Sequence, residues 1–366
     1  MSSSGSAAAH AIMAPRPGPR AAAPPPRRPL NARPCAAGPR SCTPGPTAGI
    51  VPRGDAVTGP NKRRFLALAL ASLLLALFLS TFCGSPLPPP APLTGPLPLA
   101  SPPATMAMFH LPTGVTHRSA GFAYRGGSFT DRRDFSMSAV LVQHPRGDLL
   151  IDTGFGRNID AHFSQMPLGF RLITSYTRSQ AAADQLAAAG YDRGQLRGII
   201  LTHAHWDHVS GIPDLPGTPV LITADERRFI AEGGSITAVA RGLADVNYEE
   251  YEFTGGPYLG FPRSHDVHGD GAIVIVPAPG HTPGSVIVFV ALPDGRRHAF
   301  VGDLAWQTEG ITERQERPWL QRCLADSDAQ GVRDNLLRMA AIAARFPEIT
   351  LVPAHDARGF ADLPRL

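Results

Sequence analysis

The chain has 366 residues with 38 prolines and a net charge of +4, and both features are unevenly distributed. Residues 1–105 contain 22 of the prolines and carry a net charge of +9, whereas residues 106–366 carry a net charge of −5. The acidic balance of the second part gives no support to a nucleic-acid substrate. Only Cys323 of the four cysteines lies there and no CxxC pair exists, so neither a disulfide framework nor a cysteine-based zinc site is predicted.

Composition divides the chain into four segments. We predict a disordered tail rich in proline, alanine and arginine over residues 1–60, an apolar helix over residues 61–84, a proline-rich linker over residues 85–105 and a folded domain over residues 106–366. A segment without hydrophobic periodicity cannot bury enough apolar surface to offset chain entropy. The tail is either real or an over-long translation from an upstream start. Residues 86–103 are expected to form an extended tether with no elements that could pack on the apolar helix.

A basic flank followed by an apolar segment forms the first predicted element. Lys62, Arg63 and Arg64 precede 18 uncharged residues, Phe65–Phe82, most of them leucine or alanine. Such a segment is typical of a signal peptide or of a membrane-spanning helix, and in both cases the basic flank stays in the cytoplasm. No small-x-small cleavage site follows, which favours an uncleaved anchor. We therefore predict a protein of the cell envelope that is membrane-anchored, exported or periplasmic.

The folded part begins with apolar strands. Residues 135–151 are predicted to form a hairpin that ends at Asp152. Residues 155–178 lack a clean period and are expected to form a lid or long loop. The alanine-rich stretch 179–189 predicts a short helix, because Gly190 follows it where a C-terminal cap is needed.

Four candidate metal ligands follow a short apolar strand predicted over residues 198–201. The next ten residues read Thr-His-Ala-His-Trp-Asp-His-Val-Ser-Gly. His203 and His205 are two residues apart, so on an extended segment both imidazoles project to one side and can share one ion. Asp207 and His208 are adjacent and face differently, which suits a second ion, zinc or a similar divalent metal. The alternative is a chance cluster of surface histidines.

Between this cluster and the end of the chain we predict further helices and one long loop. A strand over residues 220–222 precedes a helix over residues 224–231. Residues 242–271 are irregular and rich in aromatic residues, which either line a substrate pocket or hold the loop in place by packing. A capping box of Ser327 and Gln330 opens an amphipathic helix.

Three more predicted strands run directly into residues of metal-ligand type. The strand over residues 272–276 leads to His281, a hairpin over residues 286–301 ends before Asp303, and the strand over residues 349–352 ends before His355. Together with His203, these residues follow four separate strands. The pattern therefore predicts one metal site along one edge of a sheet sandwich.

This set of motifs resembles that of the metallo-β-lactamase superfamily, H-x-H-x-D-H followed by a lone His, an Asp and a final His. The resemblance covers residues 110–358 and implies an α/β (α+β) fold, a four-layer αββα sandwich. It implies that His203, His205 and His281 hold one metal ion, that Asp207, His208 and His355 hold the other, and that Asp303 bridges both. Asp152 matches an early aspartate of the family, either a structural turn residue or one that orients a ligand. The histidines outside the motif are expected at the surface or the pocket edge: His117, His162, His265, His268 and His298.

The resemblance also implies a chemistry. Two divalent ions, with zinc favoured and iron or manganese as alternatives, would activate a shared water for attack on a small ester, lactone or thioester. Asp207 would orient this nucleophile or pass a proton to the leaving group. The expected partner is thus a small molecule, and the oligomeric state is open.

The motifs indicate the fold more clearly than they indicate which branch of the superfamily the chain resembles. The bridging aspartate argues against a β-lactamase and is similar to that of glyoxalase II-like and lactonase-like members. The lid together with Gly302-Asp303-Leu304-Ala305-Trp306 is more similar to the N-acyl-homoserine lactonase branch. Lactonases of this type carry a tyrosine where Trp306 stands, so Tyr248, Tyr251 or Tyr258 would have to supply the hydroxyl. The alternatives are an iron-dependent oxidoreductase resembling persulfide dioxygenases, a β-lactamase, and a non-catalytic binding domain.

Overall fold

The structure, a computed structural model, describes residues 60–366. Apart from its last position, the tail predicted over residues 1–60 lies outside the described residues. The strands of the described part are β1 Ala107–Ser119, β2 Arg132–Gln143, β3 Asp148–Ile151, β4 Tyr176–Arg178, β5 Leu196–Ile200, β6 Val220–Ile222, β7 Tyr248–Glu250, β8 His265–Asp266, β9 Ile273–Pro277, β10 Val286–Ala291, β11 Arg297–Gly302 and β12 Ile349–Pro353. Its α-helices are α1 Pro60–Ser80, α2 Ala120–Ala123, α3 Ile159–Ser164, α4 Leu168–Ile173, α5 Ala182–Ala188, α6 Trp206–Val209, α7 Ala224–Glu232, α8 Ala238–Gly242, α9 Thr308–Thr312, α10 Trp319–Ala325 and α11 Ala329–Arg345.

The strands form two sheets that pack face to face. One sheet has the order β4-β1-β2-β3-β5-β6-β7 and the other the order β12-β11-β10-β9-β8. Successive side chains of a strand point to opposite faces, and Val140 and Val142 of β2 accordingly pack in the core between the sheets with Val288 of β10. Leu141 instead faces the outer core that includes α5, α7 and α8, and α11 covers the outer face of the second sheet. The predicted four-layer αββα sandwich is therefore confirmed.

The strands that precede the candidate ligands end at one edge of this sandwich. β3 and β5 are parallel, and so are β11 and β12. β9 is antiparallel to β10, which is antiparallel to β11, so β9 runs in the direction of β11 and β12. The amide of Val286, at the start of β10, donates to the carbonyl of Thr202, just after β5, over 3.0 Å. This bond joins the two sheets where their ligand-bearing strands end.

Three regions differ from the sequence-based prediction. The long strand β1 was not predicted, because Pro112 and Gly114 interrupt its pattern at a register shift. Residues 155–178, expected to form a lid or long loop, contain α3, α4 and β4. Helix α11 is capped by Asp328, whose side chain accepts from the amide of Gln330 over 2.9 Å, and not by the capping box at Ser327.

The aromatic residues of the irregular segment 242–271 pack within the fold. Tyr251 lies against Phe253 and His265, with ring centroids 5.6 and 4.9 Å away. Tyr258 lies 5.2 Å from the ring of Phe289 in β10. Of the two readings left open by the sequence, these contacts support packing.

Helix α1 is long and apolar enough to cross a membrane, and none of its span Lys62–Ser80 is buried. Its C-terminal end is fixed to the sandwich. The Arg125 guanidinium donates to the carbonyl of Cys83 over 3.1 Å, and Phe82 packs against Phe129 with ring centroids 5.1 Å apart. A cation at this end of a helix also complements the helix dipole.

The proline-rich segment after α1 is not the free tether that its composition suggested. It is extended, but Leu87 is buried, and Leu93 and Leu97 pack against the core under α11. Leu87 also exchanges two hydrogen bonds with Arg314, whose carbonyl accepts from the Leu87 amide over 2.8 Å and whose side chain donates back over 3.0 Å. The leucines of the segment, spaced between prolines, bury apolar surface that the prolines alone would not.

The environment of His110 in β1 leads us to expect that the free energy of unfolding depends on pH. It is buried against Phe360 and 2.8 Å from Ser138, and burial together with Arg365 lowers its pKa to about 4. Between the unfolded pKa of about 6.5 and this folded value, only the unfolded chain binds a proton at His110. The contribution of neutral His110 to the free energy of unfolding is therefore fully present above pH 6.5 and is lost as the pH falls. At pH 5 we expect wild type to have lost about 1–2 kcal/mol more unfolding free energy than a His110→Gln variant. Denaturant titrations of both proteins at pH 7 and pH 5 measure this, and an equal pH response would contradict it.

Candidate metal centre

The seven residues predicted to bind metal lie together in the structure. His203 and His205 follow β5, Asp207 and His208 lie on α6, and the others follow β9, β11 and β12. All seven are buried: His203, His205, Asp207, His208, His281, Asp303 and His355. They are gathered by loops at the sheet edge described above, as the strand-end pattern predicted.

The ligand atoms fall into two groups. One consists of His203, His205, His281 and Asp303, and the other of Asp207, His208 and His355, with the ligand atoms in each group within 4.8 Å of one another. Between the first three histidines, His281 Nε2 and His205 Nδ1 are 2.9 Å apart. In the second group His355 Nε2 lies 3.5 Å from Asp207 Oδ2.

Asp303 lies between the two groups. Its Oδ1 is 3.0 Å from His355 Nε2 and 3.3 Å from His208 Nε2. Its Oδ2 is 3.4 Å from His281 Nε2 and 3.9 Å from His203 Nε2. Each carboxylate oxygen therefore faces a different set of imidazoles, as a bridging ligand would.

The donor atoms of this cluster are better suited to coordinate divalent cations than to form hydrogen bonds with one another. Nε2 of His203, His205 and His208 and Oδ1 of Asp303 are buried and have no partner with hydrogen-bond geometry among the described residues. An unpaired buried polar atom costs about 1–3 kcal/mol, so four in one cluster point to a missing partner. Imidazole nitrogen and carboxylate oxygen are the usual ligands of zinc and related metals.

The protonation states of His203, His205 and Asp303 agree with this interpretation. Burial lowers the pKa of His203 and of His205 well below the usual value, which keeps both imidazoles neutral. Burial alone would raise the pKa of Asp303, but His355 and His208 hold it well below its usual range. Neutral imidazole and ionised carboxylate are the forms that bind metal.

Asp152 orients His208. Its Oδ2 lies 2.8 Å from Nδ1 of His208, and its Oδ1 accepts from the amide of Thr202 over 2.8 Å. Against the effect of burial, this carboxylate raises the pKa of His208 well above its usual value. Of the two roles that the sequence left open, the contacts support orientation of a ligand, since they leave Nε2 of His208 facing the cluster.

Sequence reasoning missed the carboxylate that orients His281. Nδ1 of His281 lies 2.8 Å from Oδ1 of Asp326, which follows α10. Asp326 is itself paired with Arg317, whose guanidinium also donates to the carbonyl of Asp303 over 2.6 Å. His355 is held in a similar way, because its Nδ1 lies 2.9 Å from the carbonyl of Ser136.

Glu226 of α7 was also missed, and it ties two ligand-bearing loops together. It is 1% exposed, and its carboxylate accepts from the amide of Ala204 over 2.6 Å, from the hydroxyl of Thr282 over 2.6 Å and from the amide of Gly284 over 3.0 Å. Burial raises its pKa to about 7, although these hydrogen bonds oppose the rise. Ala204 stands between His203 and His205, and Thr282 follows His281, so one side chain fixes both loops.

Trp306, which stands where the resemblance to lactonases places a tyrosine, contacts the carboxylate of Asp303. Its indole Nε1 donates to Oδ2 of Asp303 over 2.9 Å, and the Arg317 guanidinium lies 5.0 Å from its ring. The hydroxyls of Tyr248 and Tyr251 are buried without a hydrogen-bond partner among the described residues. Tyr258 packs on β10 as described. No hydrogen bond joins the hydroxyl of Tyr248, Tyr251 or Tyr258 to a candidate metal ligand among the described residues.

The histidines outside the motif are not all at the surface. His162 and His298 are 8% and 0% exposed, and the expectation of a surface or pocket-edge position was wrong for both. His162 lies with Nδ1 2.9 Å from the Ser210 hydroxyl, and His298 lies with Nε2 3.0 Å from Asp362. A satisfied polar partner allows a histidine to be buried in the fold.

An edge cluster of five histidines and two aspartates on an αββα sandwich defines a metalloprotein of the hydrolase class. Residues 132–355 match the family described as the Metallo-beta-lactamase superfamily. The chain belongs to this superfamily and is a metal-dependent hydrolase.

Individual relatives carry related names. A Mycobacterium tuberculosis protein named a probable metallo-hydrolase is 30% identical over 230 residues, which are 59% of this chain and 73% of that protein. The N-acyl homoserine lactonase AttM of Agrobacterium fabrum is 24% identical over 184 residues, 48% of this chain and 66% of the lactonase. A solved N-acyl homoserine lactone hydrolase with N-hexanoyl-L-homoserine at its catalytic metal centre superposes with a TM-score of 0.55 at 17% identity and covers 69% of this chain and 93% of its own. This last likeness shows the fold.

Proposed function

We propose that this protein is a binuclear metal-dependent hydrolase that cleaves a small ester, lactone or thioester. In this proposal His203, His205 and His281 hold one divalent ion, Asp207, His208 and His355 hold the second, and Asp303 bridges them. The observation that carries it is the position of Asp303, whose two oxygens face two separate sets of imidazoles. Zinc is the metal that best suits such nitrogen and oxygen donors.

A pair of such ions supplies a water of lowered pKa and polarises a carbonyl oxygen. The chain's own residues then determine geometry and proton transfer. Asp207 is buried beside His355, where its carboxylate can orient the attacking oxygen or transfer a proton to the leaving group. The indole of Trp306 holds Oδ2 of Asp303 in place, and Asp152 and Asp326 fix the rings of His208 and His281.

Lactones are the substrate class we place first. The relatives named as N-acyl homoserine lactonases support this choice, as does the aspartate at position 303. Trp306 marks a difference from the lactonase pattern, because an indole can donate a hydrogen bond but cannot accept one as a phenol can. With Trp306 at this position, we propose that the side chain acts on the substrate indirectly, through Asp303. A tyrosine hydroxyl would contact the substrate directly.

We also propose that α1 anchors the enzyme in a membrane of the cell envelope. Its length and composition suffice to span a bilayer, and its basic start would remain in the cytoplasm. The same features are compatible with a signal sequence. Labelling the full chain from outside intact cells, and testing whether carbonate washes release it, would distinguish an anchor from a cleaved signal.

Removal and return of metal tests the hydrolase proposal. Treatment with a chelator is expected to abolish hydrolysis of an N-acyl homoserine lactone, and addition of Zn²⁺ is expected to restore it, because Nε2 of His203, His205 and His208 has no hydrogen-bond partner in the part of the chain that the structure describes. The measurement is turnover of a panel of lactones, thioesters, β-lactams and a glutathione persulfide, together with metal content per chain. Oxygen uptake without hydrolysis would favour the iron-dependent oxidoreductase, and turnover of β-lactams alone would favour a β-lactamase.

A further inference from the structure

Two short helices beside the metal centre expose apolar side chains. On α4, Leu168, Leu172 and Ile173 are 62%, 76% and 68% exposed, and on α10, Trp319 and Leu324 are 49% and 65% exposed. Neither helix contains an acidic residue, and each has one arginine. Exposed large apolar residues grouped in this way mark an interaction surface.

Each helix is connected to one of the two ligand groups. Phe170 of α4 packs against Trp206, 5.9 Å between ring centroids, and Asp207 is the next residue. Asp326, at the end of α10, contacts His281 of the other group, and the amide of Ser327 donates to the His281 carbonyl over 3.0 Å. The two helices therefore flank the metal centre.

Both helices also adjoin the place where α1 meets the sandwich. Thr174, directly after α4, accepts from Arg118 over 2.7 Å, and Arg118 lies two residues before α2. In α2, Phe122 lies 6.4 Å from Phe82 at the end of α1. Helix α10 is connected to the same place through Arg125, whose side chain contacts the end of α1. The Arg125 amide donates to the carbonyl of Glu316 over 2.9 Å, and Glu316 lies three residues before α10 begins.

We propose that α4, α10 and Phe129 form a membrane-docking face that lies on the bilayer crossed by α1, and that the substrate is a lipophilic acyl ester or lactone drawn from that bilayer. This inference rests on the proposed function and on the proposed anchor. The occupant is a lipid surface because the face adjoins, through Phe82 and Phe129, an apolar helix whose span Lys62–Ser80 is unburied within the described residues. Exposed leucine, isoleucine and tryptophan side chains, together with the exposed Arg171 and no acidic residue within either helix, are the composition of an interfacial surface.

The docking is tested by fluorescence of the full chain in phosphatidylethanolamine and phosphatidylglycerol vesicles. Trp319 is half exposed, whereas Trp206 is buried. Vesicles with brominated acyl chains should quench the Trp319 signal, and a Trp319→Phe variant should lose the quenched component. Equal emission in brominated and ordinary vesicles would overturn the docking face.

The substrate class is tested by chain length. A Leu172→Ser/Ile173→Ser variant should lose about tenfold in kcat/KM for a dodecanoyl lactone in vesicles and less than about twofold for a butanoyl lactone in solution. A Leu99→Ser variant is the matched control, since Leu99 is 95% exposed and lies two residues before Ser101, whose amide donates to the carbonyl of Asp270 at the other end of the sandwich. Equal losses for both substrates would overturn entry from the bilayer. Quenching without hydrolysis of any acyl substrate would overturn the proposed function and leave the docking face supported.

Discussion

Replacement of Asp303 by alanine is expected to abolish nearly all turnover while the fold persists. Its two oxygens face His281 on one side and His355 on the other, so the variant loses the proposed bridge between the ligand groups. We expect kcat/KM to fall by at least about 10³-fold, which corresponds to about 4 kcal/mol of transition-state stabilisation. Metal content should fall toward one ion per chain or fewer, as measured by plasma mass spectrometry on the purified protein.

The control for this variant is Asp294→Ala in the exposed turn between β10 and β11. It removes a carboxylate from the same hairpin at a distance from the ligands, and it should leave metal content and turnover unchanged. Circular dichroism of both variants should resemble wild type. An Asp303→Ala protein that retains two ions and normal turnover would refute the bridging role.

Replacement of Glu226 by alanine is expected to have the largest effect on stability. The change leaves the amides of Ala204 and Gly284 buried without an acceptor, and it leaves the Thr282 hydroxyl with only the Ser285 hydroxyl, 2.7 Å away, as a partner. Unsatisfied donors cost about 1–3 kcal/mol each, and we expect a loss of about 3–5 kcal/mol in the free energy of unfolding. Because these groups position His203, His205 and His281, metal affinity should fall as well.

Glu232→Ala at the exposed end of the same helix is the matched control, and it should change the free energy of unfolding by less than about 0.5 kcal/mol. Glu226→Gln should be intermediate, since it keeps one carbonyl oxygen but turns an NH₂ group toward donors. Denaturant titration with and without added Zn²⁺ separates the two effects. If Glu226→Ala unfolds like the control, the carboxylate does not hold the loops.

The residues of the candidate metal centre could be predicted from sequence because each follows an apolar strand or belongs to one short motif. The residues that support them could not. Asp326 is 45 positions from His281, and no local pattern connects the two. Thr223 and Glu226 have the spacing of a capping box, and Thr223 does accept from the Glu226 amide. Yet the carboxylate reaches the loops of other strands, a contact that depends on tertiary packing.

The same distinction between local sequence pattern and tertiary packing explains the errors in the predicted fold. Strand β1 is a continuous partner of β2, but its proline and glycine conceal the alternation that identifies a strand. The helices within residues 155–178 are only six residues long, and their stability comes from contacts such as those of Phe163 and Phe170 with Trp206. Local propensity does not specify helices of this length.

The docked proline-rich segment determines where a water-soluble form of this enzyme would have to begin. A chain cut at residue 106 would uncover the groove filled by Leu87 and leave the Arg314 carbonyl without its amide donor. A cut between Ser80 and Ser85 would remove the apolar helix and keep the outer shell of the second sheet closed. A shed or secreted enzyme with an intact surface therefore starts near Ser85, about twenty residues before its first strand.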